Sequence, residues 1–288
     1  MPVQTVVLPV DFSDRSQGAA RYAEALTSLF ASRIHLIHIL PPPHYEMGAL
    51  EVGGAVLGDF FRARLDQAKL DLEAFLPAEL PAPATVRVLL EGDPAERIVE
   101  YAHRVSADQI VMPTHGYGTF RRFILGSVTA KVLHDADCPV WTGVHLEAHS
   151  VEEVHFRTIC AAIDLGPQSG RTLMWAARFA AAVDAKLILV HAMPRVESRG
   201  GDYYDPEWQV EVEKSAREEI DALLDRLQIK AEVRVDSGDA AGCVCELARE
   251  QAADMLVIGR GSASGVFGRL RANAYSIIRM SGCPVVSV

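Results

Sequence analysis

The sequence predicts an α/β protein made of two similar open, doubly wound parallel five-stranded sheets. Three observations lead there. Short β-branched apolar runs alternate with amphipathic stretches of helical length, the alternation occurs twice in one order, and 288 residues with 49% hydrophobic content suffice for two ordinary cores. Near-continuous apolar strands separated by helices belong to a parallel sheet covered on both faces, with right-handed crossovers.

The elements of the first copy follow from its pattern. Val6–Val10 is a strand that Asp11 ends; Ser16–Ala31 has helical spacing; Ile34–Leu40 is a second strand. A glycine-bearing insertion at Pro41–Gly58, whose composition suggests mobility, precedes a helix at Phe60–Phe75. Thr85–Leu90, Ala95–Val105, Ile110–Met112, Val128–His134 and Val140–Val144 complete a βαβαβαβαβ order. In such sheets ligands sit beyond the carboxyl ends of the strands, where the strand order reverses.

The second half answers the first. TVVLPVDFS at Thr5–Ser13 matches TICAAIDLG at Thr158–Gly166, and RIHLIHILP at Arg33–Pro41 matches KLILVHAMP at Lys186–Pro194. ADQIVMP pairs with ADMLVIG, and ADCPVWTGV with SGCPVVSV. Asp11 to Asp164 and His38 to His191 are shifts of 153, Asp93 to Asp239 is 146, and Cys138 to Cys283 is 145, so the longer insertion lies in the first copy. The repeat sets one domain at residues 1–145, a linker at 146–156 and a second domain at 157–288.

Charge narrows the classes of partner. Residues 1–150 hold 12 Lys+Arg against 18 Asp+Glu, and the remainder 16 against 20, so neither half carries the basic footprint of a nucleic-acid or anionic-membrane binder. The opening MPVQTVVLPVDFSD has no basic leader, and its apolar run is too short for a signal peptide or a membrane span. These features suggest a soluble, cytoplasmic chain. The cysteines Cys138, Cys160, Cys243, Cys245 and Cys283 are few and odd in number, which suits a reducing compartment better than a disulfide framework.

The stretch from Asp108 to Trp141 runs strand, small-residue loop, helix, the arrangement that holds a phosphate. With the aspartate after strand one, the histidine of strand two, the GD before helix three and the closing CPV, the sequence resembles a tandem universal stress protein, two such domains in one chain. The resemblance implies an adenine nucleotide alpha-hydrolase-like fold with strand order 3-2-1-4-5. It also implies binding of ATP with Mg²⁺.

The nucleotide-binding members carry Gly, two residues, Gly, nine residues, Gly and then Ser or Thr. The first copy matches at Gly116, Gly126 and Ser127, with Pro113 standing where the first glycine belongs. Carried over residue by residue, the resemblance assigns nucleotide contacts to Asp11, Ile39, Pro113, His115, Gly116, Gly126, Ser127, Val128 and Thr129. Gly116 allows close backbone approach, and Gly126-Ser127 at a helix start offers N–H groups and a hydroxyl. Pro113 removes one donor. Arg121 and Arg122 lie in the spacer, as phosphate partners or plain surface arginines.

The second copy departs from this pattern. Gly259 restores the first glycine, but Ser262, Arg271 and Ala272 replace Gly116, Gly126 and Ser127. One nucleotide per chain, in the first copy, is the expectation. Other residues have plainer readings: Asp11 and Asp164 also suit helix N-terminal carboxylates, His38 and His191 hydrogen-bonded structural histidines, and Cys243 and Cys245 a helix on which they share no face.

Three functions remain open from sequence: a non-catalytic ATP-binding stress-response module, a weak ATP hydrolase, and a scaffold in which Pro113 has ended nucleotide binding. No SGGxDS loop, HIGH-type pair or GxxxxGK[ST] loop occurs. The family resemblance further implies pairing of the final strands, Thr142–Val144 with Val285–Val288, and leaves a homodimer of the tandem chain as a candidate assembly.

Overall fold

The computed structural model describes residues 3–42, 54–114, 125–143, 154–193, 206–260 and 272–288. The chain divides into two compact units, Pro2–Val154 and His155–Val288.

In the first unit the order is β1 (Thr5–Pro9), α1 (Asp14–Phe30), β2 (Arg33–Leu40), α2 (Gly54–Ala74), β3 (Thr85–Glu91), α3 (Pro94–Arg104), β4 (Gln109–Val111), α4 (Ser127–Asp135) and β5 (Val140–Thr142). All pairings are parallel, in the order β3-β2-β1-β4-β5. This is the expected strand order. Val6, Val7, Leu8, Ile34, Leu36, Ile37 and Ile110 are almost fully buried, as a sheet with helices on both faces requires. α2 begins at Gly54, not at Phe60: the glycines expected in a loop are helical from that point, and residues 43–53 lie outside the described residues.

The second unit repeats the plan with β6 (Thr158–Ile163), α5 (Ser169–Val183), β7 (Lys186–Met193), α6 (Pro206–Leu227), β8 (Glu232–Ser237), α7 (Ala240–Glu250), β9 (Met255–Ile258), α8 (Ala272–Met280) and β10 (Val285–Ser287). Its parallel pairings give β8-β7-β6-β9-β10, the same order renumbered. Among the described residues no helix is long and apolar enough to cross a membrane.

Two repeated motifs have physical causes. The GD before helix three is a turn and a cap. Gly92 sits at φ +137° and Gly238 at +158°, values that L side chains rarely adopt. The next residue caps the helix: Asp93 accepts from the Glu96 amide at 2.9 Å, and Asp239 from the Gly242 amide at 2.9 Å. The AD before strand four is a latch. Asp108 Oδ2 accepts the amides of Gln4 and Thr5 at 2.7 and 2.9 Å, and Asp254 Oδ2 those of Arg157 and Thr158 at 2.6 and 2.8 Å.

A buried polar position is among those that separate the copies inside the core. Gln109 on β4 is fully buried, and its side-chain amide finds no hydrogen-bond partner among the described residues. The corresponding residue on β9 is Met255, also fully buried. An unsatisfied buried amide costs about 1–3 kcal/mol, and methionine has similar length without the polar atoms. Gln109→Met should therefore raise the unfolding free energy by about 1 kcal/mol or more in chemical denaturation. A loss of stability would mean that the amide has a partner.

Candidate functional site

The crevice expected of the first unit lies beyond the ends of β1 and β4, which pair side by side at the switch point of strand order. Asp11 lies at its edge. Its Oδ1 accepts from the Ser13 amide at 3.1 Å, the Ser13 hydroxyl at 2.5 Å and the Ser16 hydroxyl at 2.7 Å, while the Asp11 amide donates to Ser16 Oγ at 3.1 Å. Ser13 is the N-cap of α1. One carboxylate oxygen is thus committed to the turn that starts the helix, the structural alternative for Asp11.

Asp164 is placed likewise in the second unit. Its Oδ1 accepts from the Gly166 amide at 2.9 Å and from Ser169 Oγ at 3.3 Å.

The turn after Asp11 brings in a residue that sequence pattern did not single out. Phe12 has φ +66°, a left-handed conformation that costs a non-glycine residue roughly 1–2 kcal/mol. Its ring lies 4.4 Å from that of His38 and 5.9 Å from that of Phe75, centroid to centroid. The available signal was the apolar residue after the aspartate in both copies, for Leu165 has φ +56°.

His38 Nδ1 is 2.8 Å from the Val10 carbonyl oxygen, and His191 Nδ1 is 2.9 Å from that of Ile163. The two strand-two histidines are therefore hydrogen-bonded structural groups that tie β2 to the end of β1 and β7 to the end of β6. Ile39, the next residue, is 7% exposed at the end of β2.

The phosphate-loop region is described at both of its ends. Pro113 and Thr114 are buried directly after β4. The Gly126 amide donates to the Thr114 carbonyl at 2.8 Å, and Thr129 Oγ1 donates to the Pro113 carbonyl at 3.1 Å. Two bonds thereby close the base of the loop. Thr129 is 2% exposed, so its hydroxyl proton serves the loop base. His115, Gly116, Arg121 and Arg122 lie outside the described residues.

α4 starts beside this base. Gly126 is its N-cap, extended at φ −62° and ψ 146°, and no side chain caps the helix. Helix geometry leaves the first-turn N–H groups without intrahelical partners, and the backbone dipole adds partial positive charge there. Ser127 is exposed and Val128 half-buried. α1, α3 and α7, in contrast, are capped by Ser13, Asp93 and Asp239.

In the second unit Ala272, Asn273 and Ala274 replace Ser127, Val128 and Thr129, which deletes both hydroxyls. Ser262 and Arg271 lie outside the described residues. The buried thiols offer no reactive nucleophile at neutral pH: burial pushes Cys160 up to about 12 and Cys283 up to about 11. Among the described residues no cluster of His, Cys, Asp and Glu could hold a metal ion.

Comparison with known proteins gives a consistent likeness. The model of the universal stress protein family matches residues 2–142 and 155–288. A universal stress protein of Thermus aquaticus is 34% identical over 139 residues, covering 48% of this chain and 96% of that protein. One from Methanocaldococcus jannaschii is 30% identical over 135 residues, covering 47% of this chain and 78% of the relative. The crystal structure of a universal stress protein from Archaeoglobus fulgidus superposes with a TM-score of 0.68 at 20% identity, covering 99% of this chain and 96% of the other.

Burial holds His38 below its ordinary value, against the Val10 carbonyl and Asp11, which pull upward. His35 is lowered too, by burial and then by Arg33. A histidine depressed in the fold binds fewer protons there than in the unfolded chain. Its stabilising contribution is thus present above an unfolded value of about 6.5 and is lost as pH falls below it. The thermal midpoint should drop between about pH 7.5 and 5.5, and drop less in His38→Gln. An equal drop in both proteins would remove His38 as a cause.

Proposed function

This chain belongs to the universal stress protein family, and on that premise we propose that it is an ATP-binding stress-response module whose nucleotide sits in the first unit. The observation that carries the reading is the start of α4: an uncapped helix N-terminus, led by a glycine, at the strand-order switch point of its sheet. Gly126 has no side chain to cover the first-turn amides, and Ser127 adds an exposed hydroxyl. In this reading Ser127, Val128 and Gly126 meet phosphate, while Asp11 and Ile39 border the nucleoside. Pro113, His115, Gly116 and Thr129 shape the loop between them.

ATP bound there supplies a ligand specific for the folded state, and this chain's residues hold it rather than cleave it. Mg²⁺ would arrive on the phosphate oxygens, its usual manner of binding, since no metal cluster stands among the described residues. The described residues also offer no general base paired with a nucleophile. The module would sit in the cytoplasm and act through nucleotide-dependent shape or assembly.

Calorimetric titration with ATP should give about one nucleotide per chain, and Gly126→Val should weaken binding at least about tenfold, or about 1.4 kcal/mol, by placing a side chain against the amides. No heat and no thermal shift at millimolar ATP would favour the scaffold reading instead. Incubated with ATP and Mg²⁺, the protein should leave most of the nucleotide intact over hours. Turnover on the order of 10 per second would mark an enzyme.

A further inference from the structure

A cavity of about 330 Å³ lies at the edge strand of the first unit's sheet, lined by Glu73, Pro77, Leu80, Ala82, Thr85 and Arg87. Thr85 and Arg87 belong to the entry half of β3, where the strand pairs with Ile34 and Leu36, so this space is away from the crevice at the exit ends. Two residues apart on one strand, they share a face. The second unit has no counterpart. Its matching residues on and before β8 are Val233 and Ala231, since Ile188 pairs with Glu232 where His35 pairs with Val86.

The polar groups of this wall are incompletely paired. The Arg87 side chain is 10% exposed and donates to the Phe75 carbonyl at 2.7 Å and the Leu80 carbonyl at 3.3 Å. The first of these answers the partial negative charge at the end of α2. Arg87 Nε lies 4.0 Å from Glu73 Oε2, beyond hydrogen-bonding distance, and the Glu73 side chain is 74% exposed. A nearly buried guanidinium thus keeps donors in hand beside a carboxylate that is itself loosely held. Thr85 is 7% exposed, and its hydroxyl is covered and has no hydrogen-bond partner among the described residues.

The two charges are opposed but not joined, next to the apolar surfaces of Pro77, Leu80 and Ala82. A lone anion would have to compete with Glu73 for Arg87, and a lone cation would have to compete with Arg87 for Glu73. A zwitterion meets both at once. An α-amino acid holds its carboxylate and ammonium one carbon apart, which suits a pair separated by 4.0 Å, and leaves its side chain for the apolar wall.

We propose that this cavity binds a free apolar α-amino acid, its carboxylate held by Arg87 and Thr85 and its ammonium by Glu73. Thr85 joins by turning about χ1, which brings its unpaired hydroxyl into the cavity as a donor to the carboxylate. The site is independent of the nucleotide reading.

Three probes share one apolar tail and differ in charge: L-leucine, isocaproate, which lacks the amine, and isopentylamine, which lacks the carboxylate. Calorimetry on the full chain should show L-leucine binding once per chain and each of the others at least about tenfold more weakly. Glu73→Gln, a change at an exposed helix position, should bring L-leucine and isocaproate within about threefold of each other. Thr85→Val should weaken L-leucine about fivefold or more without lowering the thermal midpoint, because it removes a hydroxyl that is unpaired in the free protein. Gly126→Val should leave L-leucine affinity unchanged whatever it does to ATP, which separates failure here from failure of the nucleotide reading. The proposal is overturned if L-leucine does not bind at millimolar concentration, if either single-charge probe binds as well, if Glu73→Gln or Thr85→Val leaves its binding unchanged, or if ATP displaces it.

Discussion

The carboxylate of Asp108 takes the amides of Gln4 and Thr5, and Asp254 does the same for Arg157 and Thr158. In each unit this joins the start of the fourth strand to the start of the first. That pair is the switch point, from which the other strands extend in both directions. With the entry ends held in register, the exit ends stand side by side and the helices that follow diverge. The crevice at the far end of the sheet is a consequence of the latch at the near end.

The same logic governs the exit ends. Asp11 and Asp164 each fold a short turn back onto the helix that leaves the first strand. His38 and His191 then tie the second strand to the carbonyl of the residue just before that aspartate. Polar groups near the mouth are thus partly paired within the fold, whereas the start of α4 carries no side-chain cap. There Gly126 differs from the capping residues of α1, α3 and α7: it gives the helix a conformation to start from and no side chain to close it.

Much of this was legible in the sequence. The strands were, because Val6, Leu8, Ile34 and Leu36 sit in runs that only a sheet buried on both faces accommodates, and the duplicated Asp, His, GD and CPV positions fixed the order of both copies. The structural duty of the strand-two histidines was legible too. Phe12 was not, because a left-handed phenylalanine is held by tertiary contact with His38 and Phe75 against its own local preference. The start of α2 was missed since glycines at 54 and 58 argue locally for a loop, whereas the helix runs through both. The cavity of the second unit, lined by Ala192 and Gly259, was invisible for a further reason: Gly259 read only as a restored loop glycine and Ala192 gave no signal, since a space is a property of three-dimensional packing.

The divergence between the copies follows from how little of each fold the crevice supports. The latches, GD turns and histidine ties lie in the sheet or at helix starts and are kept in both units, whereas the residues that line the crevice carry few of those bonds. Ala274 in place of Thr129 removes a bond at the loop base without touching a strand, and Ala192 in place of Ile39 removes only apolar bulk at a strand end. Changes there cost the sheet little, so they can alter ligand chemistry while the scaffold stays constant. Both units keep the carboxylate after the first strand, Asp11 and Asp164, so the copies differ in the hydroxyls and the apolar bulk around it and not in the turn that holds it.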